Sequence, residues 1–332
     1  MQSQGHPVHT QTAAYHLAKD RLELIEERIR GLQASEIPLI QDVATYLLGN
    51  GGKRLRPALV ALCAKACGYK GDADIDLGVI VEFIHTASLV HDDIVDDAVK
   101  RRGNKPANRV WGNQLAVLFG DFLYARSLAL SVSLGKLRLV EVLTEATSRL
   151  VEGEMLDVLH NGNAELDIAT YMDIIDRKTA SLFAGSTLAA GVLAGVGPEE
   201  EAALETFGHD IGVAFQLVDD LLDYAADQDQ LGKQVGADLR EGKMTYPLIH
   251  LLENGSEDER TTALRALGDP EETGECFGQM VAAMRRVGSF DATRQVAIRF
   301  AEQARTALAV LPASEAREAL GELPAFIVNR DH

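Results

Sequence analysis

Cysteine is scarce in this chain. The three present among 332 residues, Cys63, Cys67 and Cys276, are too few and too unevenly placed for a disulfide framework, which points to a reducing compartment. Cys63 and Cys67 stand one helical turn apart, but no His or Cys follows at metal-ligand spacing, so the pair reads as core. Aromatic residues make up 5% while hydrophobic residues reach 46%. The core must therefore come from Ala, Leu, Val and Ile, the composition of packed helices. No stretch alternates apolar and polar residues as a half-buried strand would. Positive charge is also in short supply: 32 Lys and Arg face 50 Asp and Glu, a formal charge of −18, which excludes nucleic acid as a partner of the whole surface. Unbroken apolar runs long enough to cross a bilayer are missing, and the stretch from Met1 to Ala14 has no apolar signal core. The expectation is a cytoplasmic protein without a transmembrane segment.

What is present is helical punctuation. Leu22, Ile25, Ile29 and Leu32 recur at three- and four-residue spacing, the period of one buried helix face. The nine prolines fall at or near expected helix boundaries and not inside amphipathic runs. Further breaks are marked by Gly49 to Gly52, Gly68 to Gly71, Gly103, Gly135, Asn161 to Asn163 and Gly232 to Gly242. Residues 74–98 and 200–226 are apolar around much of their circumference, as central helices are. No linker divides the chain and no short repeat recurs. Residues 1–14 read as a flexible lead-in, and residues 15–332 as one all-α domain of about a dozen helices.

Two acidic clusters stand out. The first reads His91-Asp92-Asp93-Ile94-Val95-Asp96-Asp97, which puts Asp92 with Asp96, and Asp93 with Asp97, on shared helix faces. The second, Asp219-Asp220-Leu221-Leu222-Asp223, sits in the apolar run from Phe215 to Leu222. Like charges at i and i+4 destabilise a helix, and a helix C-terminus disfavours anions. One such cluster would read as a solvated charge run. Two matching clusters point to Mg²⁺, which takes one or two carboxylates per ion and completes its octahedron with water and phosphate oxygens.

Basic residues answer them. Gly51-Gly52-Lys53-Arg54-Leu55-Arg56-Pro57 joins a glycine turn to a helix start, where backbone N–H groups and cations can hold an anion. Lys100-Arg101-Arg102-Gly103 follows the first acidic cluster directly, and Arg177-Lys178-Thr179, Lys233 and Lys243 add further charge.

In this order these motifs resemble the trans-polyprenyl diphosphate synthase family, of the long-chain, octaprenyl type, with the match running from Gly51 to about Pro247. The resemblance implies the isoprenoid synthase fold, a helical bundle around a deep central cavity. It implies that Asp92, Asp93, Asp96, Asp219, Asp220 and Asp223 hold Mg²⁺, three ions when substrate is bound. Arg101, Lys178, Thr179, Gln216, Lys233 and Lys243 would meet the allylic diphosphate, and Lys53, Arg56, His85 and Arg102 the isopentenyl diphosphate. Asp92, Asp96, Lys178, Thr179 and Gln216 would carry catalysis, with Thr179 and Gln216 beside the developing cation. Taken alone, His85 reads as a core histidine, and Thr179 and Gln216 as structural hydrogen-bonding residues. The stretch Glu152-Gly153-Glu154-Met155-Leu156-Asp157 departs from the pattern, with Asp157 at a place usually held by Gln.

The implied activity is ionisation of an allylic diphosphate, attack by isopentenyl diphosphate and loss of a proton, with no nucleophilic side chain. Ala87 and Ser88, one turn before the first cluster, are small and should let a growing tail pass, which favours a long product for quinone side chains. Each further helical turn adds about 5 Å, roughly one isoprene unit. The resemblance also implies a homodimer, with transient membrane contact for product release. A geranylgeranyl-length synthase and a regulatory subunit of a heteromeric synthase are the alternatives. A subunit of that kind would be expected to lack one acidic cluster.

Overall fold

Local signals in the sequence start and stop the helices. Thr12 caps α1 (Ala13–Arg30) by accepting from the Tyr15 amide, and Arg28 and Arg30 oppose the dipole in its last turn. Pro38 opens α2 (Pro38–Leu48). The helices α3 (Leu55–Ala66), α4 (Ala73–Val95), α5 (Ala107–Trp111), α6 (Asn113–Ser133), α7 (Leu137–His160), α8 (Ile168–Ile175), α9 (Ser181–Ala194) and α10 (Pro198–Ala225) follow. Pro198 and the acidic run Glu199 to Glu201 open α10. The chain continues through α11 (Ala237–Arg240), α12 (Tyr246–Asn254), α13 (Glu257–Ala266), α14 (Pro270–Val287), α15 (Ser289–Ala307) and α16 (Glu315–Val328). Ser256 and Glu259 form a complete capping box on α13.

This computed structural model describes residues 12–31, 35–49, 54–98, 104–225 and 236–330, and among them there is no strand. The all-α expectation holds, and α4 and α10 coincide with the two expected central helices. Pro324 departs from expectation, because it lies inside α16. The buried side chains of Leu320, Leu323, Ile327 and Val328 keep that helix packed despite the missing N–H.

The chain forms two compact units, one made of Met1–Thr147, Leu182–Gly208 and Arg305–Leu323, the other of Ser148–Ser181, His209–Ala304 and Pro324–His332. In the first, α1, α3, α4 and α6 pack on one another. Ile25, Ile29, Val43, Leu48, Val79, Phe83, Ala87, Phe119 and Leu123 form a core there. Gly78 gives Ile25 its place in this core, because a Cβ there would lie 2.5 Å from Ile25 Cδ1 and the isoleucine would have to shift. In the second unit α12, α13 and α14 pack together around a core that includes Tyr171, Val213, Leu217, Tyr224, Leu248 and Met284.

By length and composition α6 is apolar enough to cross a membrane, although Asp121 and Arg126 interrupt it. It buries Phe119 and Leu123, and exposes Val117, Leu118, Leu128 and Val132.

Candidate active site

The first acidic cluster occupies the last turn of α4. Asp92 and Asp96 are half-buried and Asp93 is 2% exposed. Asp96 caps the helix with its N–H on the Asp92 carbonyl at 2.8 Å, so these two remain one turn apart. Asp97 does not share a face with Asp93 as expected. It turns out of the helix at φ 49°, a conformation that Asp tolerates and that relieves a fourth like charge at the negative end of the dipole. Arg109 then clamps the helix end, donating to the carbonyl and carboxylate of Asp97 at 2.9 and 2.6 Å and to the Ala98 carbonyl at 3.1 Å. Asn108 donates to the Asp93 carbonyl at 3.2 Å.

In the same unit His85 is half-buried, and Ser88 Oγ donates to its carbonyl at 2.8 Å. Ser88 and Ala87 are both buried, Ala87 among the core side chains that include Phe83 and Phe119. The Arg56 guanidinium lies over the Phe183 ring, 4.2 Å from its centroid. Arg54 of the same motif is held quite differently. Its side chain is 8% exposed, pairs with Glu26 of α1 and Glu82 of α4, and donates to the Leu48 carbonyl at 2.9 Å. Lys53, Arg101, Arg102 and Lys233 lie outside the described residues.

The second cluster is built into α10, and each of its carboxylates has a partner. Asp219 takes the Arg330 guanidinium at 3.1 Å. Arg330, 4% exposed at its side chain, also donates to the Phe215 carbonyl at 3.2 Å and stacks on the Phe215 ring at 4.2 Å. Asp220 is buried, with Tyr171 Oη donating to one oxygen and Gln216 Nε2 to the other at 2.7 Å. Burial pushes Asp220 up to about 7, against the lowering pull of Tyr171 and Gln216, and the charges of Asp219 and Asp223 add to the rise. Asp223 accepts from the backbone N–H groups of Ala237 and Asp238, both at 3.1 Å, where α11 begins. Burial, reinforced by Asp223 and Asp220, also raises Asp238 well above the usual carboxylate range.

The cations expected beside this cluster sit on an irregular turn. Residues Asp176–Ala180 are π-helical, a rare geometry that recurs at functional sites. The last two turns of α7 meet it residue by residue. Glu152 pairs with Arg177 at 2.6 Å. Lys178 pairs with Glu154 and, at 2.7 Å, with Asp157. Gly153 permits this approach, because a Cβ there would lie 2.2 Å from the Lys178 nitrogen. Thr179 Oγ1 donates to Gln216 Oε1 at 2.9 Å, so Thr179, Gln216, Asp220 and Tyr171 form one hydrogen-bonded chain. Lys243 pairs with Glu241 at 2.8 Å.

Thr179, Gln216 and Asp220 are thus joined by hydrogen bonds, and Asp157 is one of the two carboxylate partners of the neighbouring Lys178. The sequence reading missed Tyr171, Glu154 and Arg330. Glu154 was within reach, because it shares a helix face with Asp157. Arg330 and Tyr171 carry no local signal, since both meet α10 from far along the chain.

The donor set suits a hard cation, being carboxylate oxygen throughout, and Asp219 is half exposed. Among the described residues no three His, Cys, Asp or Glu side chains gather to cage a metal.

The family model described as polyprenyl synthetase matches residues 37–284. Octaprenyl diphosphate synthase of Escherichia coli (strain K12) is 43% identical over 297 residues, which span 90% of this chain and 92% of that one. The corresponding enzyme of Haemophilus influenzae is 39% identical over 300 residues, 90% of each chain. Among solved structures, polyprenyl synthase from Caulobacter crescentus CB15, complexed with calcium and isoprenyl diphosphate, superposes with a TM-score of 0.91. It has 38% identity and covers 96% of this chain and 98% of its own.

Proposed function

From a chain that belongs to the polyprenyl synthetase family, and so is a prenyltransferase of isoprenoid biosynthesis, we infer a specific reaction. It adds isopentenyl diphosphate to geranyl, farnesyl or geranylgeranyl diphosphate and yields a long all-trans polyprenyl diphosphate of about octaprenyl length. The observation that carries this reading is the gripped π turn, which brings Lys178 and Thr179 to the hydrogen-bonded chain of the second acidic cluster. The names of the two octaprenyl relatives support the length. The calcium and isoprenyl diphosphate in the Caulobacter structure support a divalent cation with a diphosphate.

In this reading Asp92, Asp93, Asp96, Asp219 and Asp223 hold Mg²⁺, three ions with substrate present. Asp220 bears on them through its charge while Tyr171 and Gln216 engage its oxygens. Mg²⁺, when bound, offsets the charge that collects on the departing diphosphate. Arg101, Lys178, Lys233 and Lys243 bind the allylic diphosphate, and Lys178 exchanges its carboxylate partners for phosphate oxygen. As the allylic C–O bond breaks, the dipoles of Thr179 and Gln216 stabilise the cation. Lys53, Arg56, His85 and Arg102 hold the isopentenyl diphosphate, and the contact of the Arg56 guanidinium with the Phe183 ring restrains it for that role. The double bond attacks, a proton leaves to the released diphosphate, and no protein base is required.

The tail runs past Ala87 and Ser88. The product supplies quinone side chains, the reaction is cytoplasmic, and release involves brief membrane contact. Two copies pair through the apolar face of α6, which exposes Val117, Leu118, Leu128 and Val132. Light scattering of Leu118→Arg as a monomer would support that pairing, and an unchanged mass would refute it.

The test is incubation of the purified chain with farnesyl diphosphate, labelled isopentenyl diphosphate and Mg²⁺, with EDTA in parallel and products resolved by length. A metal-dependent ladder ending near eight isoprene units is the expected result. A ladder ending at four units would make it a geranylgeranyl synthase. No incorporation by the chain alone would favour a component of a heteromeric synthase.

A further inference from the structure

The π turn at Asp176–Ala180 has a restraint at its first residue that the reaction as derived does not use. Asp176 pairs through one oxygen with Arg149 of α7 and through the other with His209 Nε2 of α10, the latter at 2.7 Å. The second ring nitrogen of His209, Nδ1, lies 2.8 Å from Oδ1 of Asp210, a carboxylate 5% exposed. Ionised carboxylates only accept hydrogen bonds, so a ring facing one on each side must carry a proton on each nitrogen. The imidazole is therefore a cation, in agreement with its rise to about 9, caused first by Asp176 and then by Asp210. Phe300 flanks the ring at 6.2 Å between centroids. Two cations and two anions alternate across three segments of the chain.

The position of this cluster gives it consequence. A π turn holds one residue more than the α-helical turn it replaces, and each residue advances an α-helix by about 100°. If the turn relaxed to α geometry, Lys178 and Thr179 would swing by about that angle, away from Asp157 and Gln216. The α7 backbone packs closely on the turn here, since a Cβ on Gly153 would lie 2.2 Å from the Lys178 nitrogen, so a rotated turn would meet it differently.

We propose that Arg149, Asp176, His209 and Asp210 form a positioning device for the prenyl transfer, in which clamped Asp176 fixes the phase of the π turn and thereby aims Lys178 and Thr179. This rests on the reading that gives those two residues to the allylic diphosphate and its cation. Arg149, Asp176, His209 and Asp210 are positioning residues, acting through Lys178 and Thr179.

The experiment compares wild type, Asp176→Asn, His209→Gln and His209→Arg, the last restoring a cation that donates in two directions. For the first two, kcat and the metal-dependent hydrolysis of the allylic diphosphate alone should fall together by about tenfold to a hundredfold. The KM for isopentenyl diphosphate should stay within about twofold and the helical circular dichroism should be unchanged, since the damage is confined to aiming. His209→Arg should recover most of the lost kcat. Wild-type kcat in Asp176→Asn or His209→Gln, or a His209→Arg variant as impaired as His209→Gln, would overturn the proposal. If Asp176→Asn fails to fold, Arg149→Lys takes its place with a smaller loss of about threefold, since Lys offers a point charge where Arg offers a fork. A crystal structure of the variant gives a readout independent of activity. An α-helical turn at 176–180 supports the device, and an unchanged π turn refutes it. A wild-type chain with no metal-dependent incorporation would instead overturn the functional reading beneath it, leaving the structural outcome to stand by itself.

Discussion

The two acidic clusters look alike in sequence and are held in different ways. At the second, the described structure grips the carboxylates themselves: Arg330 on Asp219, Tyr171 and Gln216 on Asp220, and the amides of Ala237 and Asp238 on Asp223. At the first, Asn108 and Arg109 clamp the end of the helix, through the carbonyls of Asp93, Asp97 and Ala98 and the carboxylate of Asp97. A grip on carboxylates fixes where charge sits before any ion arrives. A grip on carbonyls fixes where a helix stops. The repeated Asp-Asp-x-x-Asp pattern thus hides a helix-end clamp at the first cluster and a set of partners from far along the chain at the second.

The largest expected effects test whether both clusters serve the chemistry. Asp92→Ala and Asp219→Ala should each lower kcat by about a hundredfold to a thousandfold, the scale of losing one preorganised electrostatic group. Single-turnover product assays at saturating Mg²⁺ read this, and collapse of only one variant would break the pairing. Next comes Ser88→Phe, which should shorten the product ladder by several isoprene units while leaving the first condensation intact, as thin-layer separation of dephosphorylated products would show. An unshortened ladder would remove the first cluster's helix from the tail's path.

Smaller effects sharpen the contrast in grip. Tyr171→Phe strands a buried oxygen of Asp220 and should cost about 1–3 kcal/mol in urea unfolding, whereas Asn108→Ala loses one bond to a carbonyl and should cost about 1 kcal/mol. Equal costs would argue that the two clusters are held alike. The smallest effect concerns pH. His209 is raised from 6.5 to about 9 in the folded chain, so its contribution is fully present below about pH 6.5 and is lost as pH rises through 9. The difference in urea midpoint between wild type and His209→Gln should therefore shrink from pH 6.5 to pH 9.5, and a difference that grows would refute the sign.

The sequence was legible where neighbours in the chain are neighbours in space. Periodicity gave α4 and α10, and spacing gave the Asp clusters, because helices convert i and i+4 into adjacency. Asp97 escapes that rule because α4 ends at Val95 and Asp96 already caps it. The π turn was invisible, since no residue in Asp-Arg-Lys-Thr-Ala announces an extra residue per turn. Its partners Arg149 and His209 stand 27 and 33 residues away. Arg54 was read with a phosphate-binding run, yet burial turns it inward.

That inward turn shapes how the position can change over evolution. Arg54 adopts φ 43°, a conformation uncommon for a residue with a side chain, and its guanidinium is shared by Glu26 and Glu82. Replacing it alone would leave Glu82 charged and buried. Replacing either glutamate alone would leave the other to satisfy the cation. Positions 26, 54 and 82 are therefore epistatic: a neutral path away from arginine begins at one of the glutamates of α1 and α4 and reaches position 54 last, even though none of the three touches substrate in the proposed reaction.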